Sequence, residues 1–459
     1  MYHPTKQEFT KLLEKHNIVP VYKELDIGDH SPVETFAKIE DEYSFLLESI
    51  EGSEKIARFS FLGSVDKKNV KKLKKFSEIR DLISSYNPAP VSGLPRFHGG
   101  LVGYVSYDMV REVEDIPDNN PDELKVPPMI FLLAETLLAF DHVRGKLLII
   151  ANSSSYESAL SKIDQLEAKL KEVKKLAPLK NKRGDVKFKS NFTQDQFETL
   201  VAKGKEYIKA GDVIQFVPSQ RFETSAKTDP FNVYRILRQV NPSPYMYYLK
   251  LGDLQIVGTS PEVMVRLEDG QATVRPIAGT RRRGKDEAED LAMEKELLAS
   301  KKEVAEHVML VDLGRNDLGR VCEYGSVLVT EQMTIERYSH VMHIVSNVTG
   351  NLKREYDAVD LLRATFPAGT VTGAPKVRSM EIIDELENRK RGPYAGAIGY
   401  FGFSGEMDTC ITIRTIVFKG DKAYVQVGAG IVADSEPIEE YKETMNKARA
   451  MLGAIELAA

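Results

Sequence analysis

Residues 246–276 read Met-Tyr-Tyr-Leu-Lys-Leu-Gly-Asp-Leu-Gln-Ile-Val-Gly-Thr-Ser-Pro-Glu-Val-Met-Val-Arg-Leu-Glu-Asp-Gly-Gln-Ala-Thr-Val-Arg-Pro. They hold four short apolar-rich runs, at 246–251, 254–259, 262–267 and 272–276. Several alternate strictly or pair across a turn such as Glu268-Asp269-Gly270, so they are expected to be strands with antiparallel neighbours. Further strands are expected over 213–222, 326–330, 340–350, 396–403, 408–418 and 422–427. Helices are expected over 193–211 and 286–311. Strands in runs and helices in runs place the chain in the α+β class, with mostly antiparallel sheet.

The same reading extends toward the N-terminus. Helices are expected at 5–17, 32–41 and 156–175. Strands are expected at 43–49, at 57–63 and from 101 onward. Residues 129–140 and 146–151 read as a hairpin turning at 141–145. The lysine-rich run 67–75 reads as a solvated loop or turn, and 112–128 as an acidic, proline-rich loop. A basic linker at 180–189 lacks hydrophobic periodicity. It is taken as the boundary between an N-terminal region, 1–180, and a second region, 190–459.

At 459 residues the chain can bury a large core. A net charge of −5 gives no electrostatic case for nucleic acid or an anionic membrane. No apolar run is long enough to span a bilayer, and the first residues, MYHPTKQEFTKLLEKH, do not read as a signal peptide. Cys322 and Cys410 read as reduced thiols of a cytoplasmic protein.

Two helical stretches carry paired carboxylates. In 303–320, Glu303, Glu306 and Leu310 share one face, and the apolar run 307–311 leaves little polar surface around the two glutamates. A pair of surface glutamates at the wet end of a core helix is the plainer account of one such motif. A second copy near the C-terminus shifts the balance. There Ser435 is expected to cap a helix with Pro437 in its first turn. Glu436, Glu440, Glu443 and Lys447 would share one face, with Ile438, Tyr441, Met445 and Ala448 toward the core. The preceding Gly428-Ala429-Gly430 lets backbone amides approach a ligand closely. Two helices offering paired carboxylates suit a hard divalent cation such as Mg2+, which shares its shell with water and an anionic substrate. Few histidines and no CxxC pair argue against zinc.

Four further stretches bear on chemistry. Pro276–Gly284 (Pro-Ile-Ala-Gly-Thr-Arg-Arg-Arg-Gly) is either a basic loop or an anion-facing turn. Residues 366–376, glycine- and threonine-rich, lead into a helix expected over 377–387 whose N-terminus offers free amides. The spacing is not that of a Walker loop, and Arg378 reads as a surface partner of Glu381. His340 and His343 would face opposite sides of a strand. Arg414, in an apolar strand, calls for a buried anion or acidic partner. Together these suggest a Mg2+-assisted site for a small dianion.

The motifs resemble those of the chorismate-utilising enzymes, and within that family the anthranilate synthase large subunits. The likeness rests on Phe45-Leu-Leu-Glu-Ser49, Pro276-Ile-Ala-Gly-Thr-Arg281, Glu306-His-Val-Met-Leu-Val-Asp-Leu-Gly-Arg-Asn-Asp317, Ala368-Gly-Thr-Val-Thr-Gly-Ala-Pro-Lys376 and Gly428-Ala-Gly-Ile-Val432, in the family's order over nearly the whole chain. It implies two large antiparallel sheets in a sandwich flanked by helices. It implies that Glu303, Glu306, Glu440 and Glu443 surround Mg2+, which meets the ring carboxylate of chorismate, assisted by Lys447 and by Gly428 and Gly430. Tyr394 and Arg414 would hold the enolpyruvyl carboxylate, and Thr280 and Thr370 would line the pocket. Glu262 would be the general acid and His343 the base.

The resemblance further implies feedback by tryptophan at Glu48, Ser49, Pro244, Tyr245 and Met246. Ala278 and Gln215 stand where relatives of other activity carry lysine. An aminodeoxychorismate synthase component and a catalytically dead amino-acid-sensing regulator are the alternatives. The chain has no Gly-x-Cys-x-Gly turn, so a separate glutaminase subunit would deliver ammonia.

Overall fold

The computed structural model describes residues 1–50, 58–179, 183–225, 228–338 and 341–459. Among them are two large sheets, one of twelve strands and one of ten, antiparallel in every large-sheet pairing. The expected α+β sandwich is present. The strand Tyr245–Leu251 shows how the sequence builds it. It folds back on Leu254–Ser260 at a two-residue turn, Gly252-Asp253, with Gly252 at φ +77°. Met246 and Tyr248 point into a core shared with helices, including Phe36, Phe231 and Met451. Tyr247 and Leu249 point the other way, into a core that also contains Val102, Tyr104, Ile130 and Ile398 of the second sheet. The second sheet packs its outer face against helices through Val311, Leu318, Leu361 and Phe76. The layers therefore run helix, sheet, sheet, helix. Strands buried on both faces read as nearly continuous apolar runs.

Strands from the 1–180 and 190–459 stretches interleave in both sheets. Leu47 pairs with Tyr247 at one seam, and Val102 with Tyr400 at the other.

The chain also passes between sheets where the sequence suggested single strands. Residues 129–140 are two strands, Met129–Ala134 in the ten-stranded sheet and Thr136–Asp141 in the twelve-stranded one. Residues 408–418 likewise split into Met407–Ile411 and Thr415–Lys419, in different sheets. Both switches turn tightly, with Glu135 N–H donating to the Leu133 carbonyl and Ile413 N–H to that of Ile411. The apolar pattern runs through each switch because both sheets bury these residues, so hydrophobicity alone gives no sign of it. A third switch, between Leu254–Ser260 and Val263–Glu268, carries Glu262.

Other departures are local. The run 286–311 is two helices, Glu287–Ala299 and Lys301–Gly319, because Ser300 ends one and caps the next by accepting from Glu303 N–H. The C-terminal helix Pro437–Ala458 has Glu436, not Ser435, at its N-cap. Ile438 is exposed and Glu440 buried, so the buried stripe runs Glu440, Thr444, Ala448, Met451 and Ile455. The lysine run 67–75 contains an edge strand, Val70–Leu73, on Met129–Ala134. Its lysines discourage further pairing. A helix over Pro230–Val240, capped by Asp229 with proline in its first turn, lay outside the expected set. No helix among the described residues is long and apolar enough to cross a membrane.

Candidate active site

The helix Lys301–Gly319 presents Glu303 and Glu306 beside the strand Ile277–Arg282. Gly279 (φ +67°) sits in a bulge of that strand, and a Cβ there would lie 3.1 Å from a Glu303 carboxylate oxygen. Arg281 donates to Glu303 at 3.2 Å and to Glu296 at 3.1 Å. Arg282 pairs with Glu289, and Arg283 with Asp290 at 2.9 Å. The three arginines are thus engaged by carboxylates of neighbouring helices, which answers the question left open for this turn: it does not offer them to a ligand. Gln215 donates to Glu306 at 3.0 Å. Burial, and then the charge of Glu303, push the Glu306 carboxyl above its usual range, and the Gln215 bond opposes them.

The C-terminal helix supplies the second pair. Burial raises the Glu440 carboxyl, the nearby Glu443 charge adds to it, and one Glu440 oxygen is buried without a hydrogen-bond partner. Lys447 bonds Glu443 at 2.6 Å and the Gly428 carbonyl at 3.0 Å. Glu306 and Glu440 both feel Lys302 and Lys447, which places the two pairs about one locus. A Cβ on Gly430 would lie 2.8 Å from the Gln215 amide and 3.6 Å from Glu306. The side chains do not form a closed cage: among the described residues no three potential ligands stand close enough to hold a metal by themselves.

Arg414 lies at the sheet switch with φ +51°, a conformation uncommon for a non-glycine residue. It donates to the Lys447 carbonyl at 3.1 Å. No carboxylate forms an ion pair with it among the described contacts; burial lowers its pKa, and the nearby Tyr394 and Glu443 oppose that. Tyr394, buried, has its hydroxyl where a Cβ on Gly428 would be only 2.8 Å away. Burial pushes that phenol up to about 12.

Glu262 and His343 complete the group. Glu262 is buried, accepts from the Thr370 hydroxyl at 2.7 Å, and is pushed up to about 8 by burial. His343 stands opposite Thr280 in the register of the strands Ile277–Arg282 and Val341–Asn351. Its Nδ1 lies 3.0 Å from the Gly279 carbonyl and 3.1 Å from the Thr280 hydroxyl. A carbonyl only accepts, so Nδ1 carries the proton and Nε2 holds the free lone pair. Burial lowers the His343 pKa, and the Arg414 charge lowers it further. His340 lies outside the described residues.

A separate cavity of about 650 Å3 opens between the sheets. Ser49, Pro244, Tyr245 and Met246 line it, together with Arg266, Asp408 and Cys410. Ser49 Oγ is buried without a partner. Tyr245 donates to Asp408 at 2.8 Å and accepts from Arg266 at 3.0 Å. Glu48 borders the cavity, but its carboxylate is held by Arg238 at 3.0 Å and by the Tyr234 hydroxyl. The acceptor expected for a ligand ammonium is therefore already engaged on the helical side. Met246, paired with Glu48, also packs among the helices. Sequence reasoning did not single out Arg266 or Asp408, whose charges sit in alternating strands that look ordinary. It also passed over Arg391, whose only signal is a charge three residues before Tyr394.

The profile of the chorismate binding enzymes matches residues 42–453. Anthranilate synthase component 1 of Aquifex aeolicus is 46% identical, covering 98% of this chain and 97% of that protein. The Acetivibrio thermocellus protein of the same name is 45% identical over 100% of this chain and 99% of its own length. A crystal structure of anthranilate synthase component I from Streptococcus pneumoniae superposes with a TM-score of 0.78 at 37% identity, covering 93% of this chain and 98% of that one. The menaquinone-specific isochorismate synthase of Escherichia coli shares the fold alone, with a TM-score of 0.77 at 17% identity over 98% of each chain. With a matching profile over most of its length and full-length relatives of this identity, the chain belongs to the chorismate binding enzyme family, in its anthranilate synthase component 1 branch.

Proposed function

We infer that this chain converts chorismate and ammonia to anthranilate, pyruvate and water, a lyase reaction, as the large subunit of an anthranilate synthase in tryptophan biosynthesis. The observation that carries the chemistry is a reversal of ordinary acidities. Glu262 is raised to about 8 while His343 is lowered, so at neutral pH the carboxyl is mostly protonated and the imidazole neutral. Both groups contact the strand Ile277–Arg282, Glu262 accepting from Ile277 N–H at 3.4 Å and His343 donating to the Gly279 carbonyl at 3.0 Å, which suits an acid and a base serving one substrate.

In this reading Tyr394 and Arg414 hold the enolpyruvyl carboxylate. Thr370 fixes the Glu262 carboxyl, which gives its proton to the C4 hydroxyl as that group leaves as water. Ammonia bonds to C2 and sheds a proton. His343 Nε2 then takes the C2 proton as the C3–O bond breaks, pyruvate departs and the ring becomes aromatic. Gln215 and Ala278 bring no amine to the site, and the Gln215 amide is committed to Glu306. This favours amination with elimination over the hydration of a lysine-bearing relative.

The donor set fits a Mg2+ ion. Glu306 and Glu440 are raised by burial, each has a like-charged neighbour, and a buried Glu440 oxygen lacks a partner. Glu303, Glu306, Glu440 and Glu443 would hold it, with water and substrate completing the open shell. When bound, such an ion neutralises the ring carboxylate of the substrate. Arg281 and Lys447, now on Glu303 and Glu443, would have to yield those oxygens.

The component 1 relatives imply a partner subunit, read here as the glutaminase that delivers ammonia. The inter-sheet cavity is read as a tryptophan feedback site. Ser49 offers a free hydroxyl there, and Pro244 and Tyr245 an apolar wall for the indole. Inhibition then requires tryptophan to bind a low-activity arrangement more tightly, with a coupling of about 1–3 kcal/mol. Cytoplasmic location accords with this role.

Product analysis tests the whole reading. The purified chain, given chorismate, Mg2+ and ammonium at alkaline pH, should release anthranilate and pyruvate in equal amounts. With glutamine replacing ammonium it should release neither. Accumulation of aminodeoxychorismate or isochorismate would overturn the assignment, and activity on glutamine would remove the need for a partner.

A further inference from the structure

Arg391 is among the largest fully buried side chains of the molecule, and none of the chemistry above uses it. Its guanidinium is held on three sides. Nη1 donates to the Val371 carbonyl at 2.8 Å and Nη2 to the Val217 carbonyl at 2.7 Å. Nη2 also donates to Glu387 at 2.7 Å, and Nε donates to the same carboxylate at 3.1 Å. Glu387 is fixed in turn by the Ser219 N–H and hydroxyl, both at 2.8 Å. Ser219 stands opposite Gly428 in the strand register.

Two aromatic rings also adjoin the guanidinium. The Tyr107 ring lies 4.7 Å from it and the Tyr394 ring 5.5 Å. A planar cation anchored at its edges and in cation–π contact with two rings is a rigid backing for what it touches. Of its two stacking partners, only Tyr394 belongs to the candidate site.

We propose that Arg391 is a positioning residue, the rigid backing that sets Tyr394 against the substrate carboxylate, with Glu387, Val217 and Val371 holding Arg391 itself in place. The inference rests on the reading of Tyr394 as a substrate contact. Arg391 meets no substrate; it acts through the ring in front of it. Lysine would keep the charge beside Glu387 but lose the planar fork and the stack.

The test is a double-mutant cycle on the full chain, reading the chorismate KM and kcat with ammonium as nitrogen donor, with thermal unfolding run in parallel. Tyr394→Phe should raise KM about tenfold, the worth of one hydrogen bond to a charged group. Arg391→Lys should raise KM by a similar factor of roughly ten while changing kcat less, since the lost contact is one of binding. The double variant should be no worse than Tyr394→Phe alone, within about twofold, because both changes remove the same contact. Multiplied effects, on the order of a hundredfold in KM, would make Arg391 plain scaffold and overturn the proposal. If Tyr394→Phe leaves KM unchanged, the substrate role of Tyr394 falls first and this inference falls with it. Should Arg391→Lys fail to fold, Tyr107→Leu, which removes the other ring against Arg391, enters the same cycle with the same deciding outcomes.

Discussion

The candidate catalytic cleft and the inter-sheet cavity share strands but differ in the groups they hold. In the cleft, functional groups sit where regular structure stops: Glu262 and Arg414 at sheet switches, Thr280 beside a bulge, Glu303 in the first turn of a helix. Three of its carboxylates are matched by a nearby group, Glu303 by Arg281, Glu443 by Lys447 and Glu306 by Gln215, while Arg414 has no ion pair and one Glu440 oxygen no partner among the described residues. The cavity is lined at strand ends as well as along strands, by Ser49 just past Tyr43–Glu48, Pro244 and Tyr245 at the start of Tyr245–Leu251, and Arg266 and Asp408 within theirs. Its free groups are neutral or internally paired, as with Ser49 Oγ or the set Tyr245, Asp408 and Arg266. The strands Val263–Glu268 and Met407–Ile411, which bring Arg266 and Asp408 to the cavity, adjoin the switches that carry Glu262 and Arg414.

The sharpest way to break the comparison is at Glu262. Glu262→Gln should cut turnover by about 10²–10⁴-fold, the usual worth of a general acid. It should leave tryptophan binding intact. Its effect on stability has the opposite sign. The folded carboxyl titrates near 8 against 4.5 for the ordinary group, so between those values the folded protein keeps a proton that the unfolded chain releases. Stability from this group is therefore greatest below the unfolded value and declines as pH rises toward 8. Removing the group should stabilise the protein at pH 8, by up to about 4 kcal/mol, visible as a higher thermal midpoint. A lower midpoint would mean the carboxyl is not buried as described. In the native protein, kcat/KM at fixed free ammonia should fall above about pH 8 as Glu262 ionises; a flat profile would remove it as the acid.

His343→Ala should slow anthranilate formation by roughly 10²–10⁴-fold and let the aminated intermediate build up, seen by chromatography of quenched reactions. An unchanged rate places the base elsewhere. Glu440→Gln should weaken Mg2+ at least about tenfold by calorimetry, the loss of one charge-assisted contact. Chelation with EDTA should silence the wild-type chain, and full activity in EDTA would refute the metal reading.

The smallest expected effect belongs to the cavity. Ser49→Ala should weaken tryptophan by roughly fivefold, about 1 kcal/mol, with turnover near normal. The chain contains no tryptophan, so indole fluorescence reports the ligand alone. Equal inhibition of both proteins would locate the ligand away from Ser49.

These two regions also differed in how far the sequence revealed them. Glu303, Glu306, Glu440 and Glu443 were legible because helical spacing fixes which residues share a face, and each pair lies within one turn. Arg414 was legible as a charge in an apolar run, but not the switch that turns it, since both sheets bury that run. The arginines at 281–283 left two readings open because their partners, Glu303, Glu296, Glu289 and Asp290, are brought in by helices whose docking the local sequence does not encode. The cavity was the least legible. It depends on pairing Leu47 with Tyr247, a register between distant segments, and that pairing turns Glu48 toward Arg238. Glu48 looked available only because its partner could not be seen.

The seam between Tyr43–Glu48 and Tyr245–Leu251 also sets a clock for biosynthesis. The earlier strand leaves the ribosome roughly 200 residues before its partner, which at about 5–20 residues per second is a wait on the order of 10–40 s. Until then a strand that ends up buried on both faces has an open edge and no cover. The nascent chain is therefore at its stickiest midway through synthesis, and holding factors that bind exposed apolar strands should matter most to this protein before residue 251 emerges.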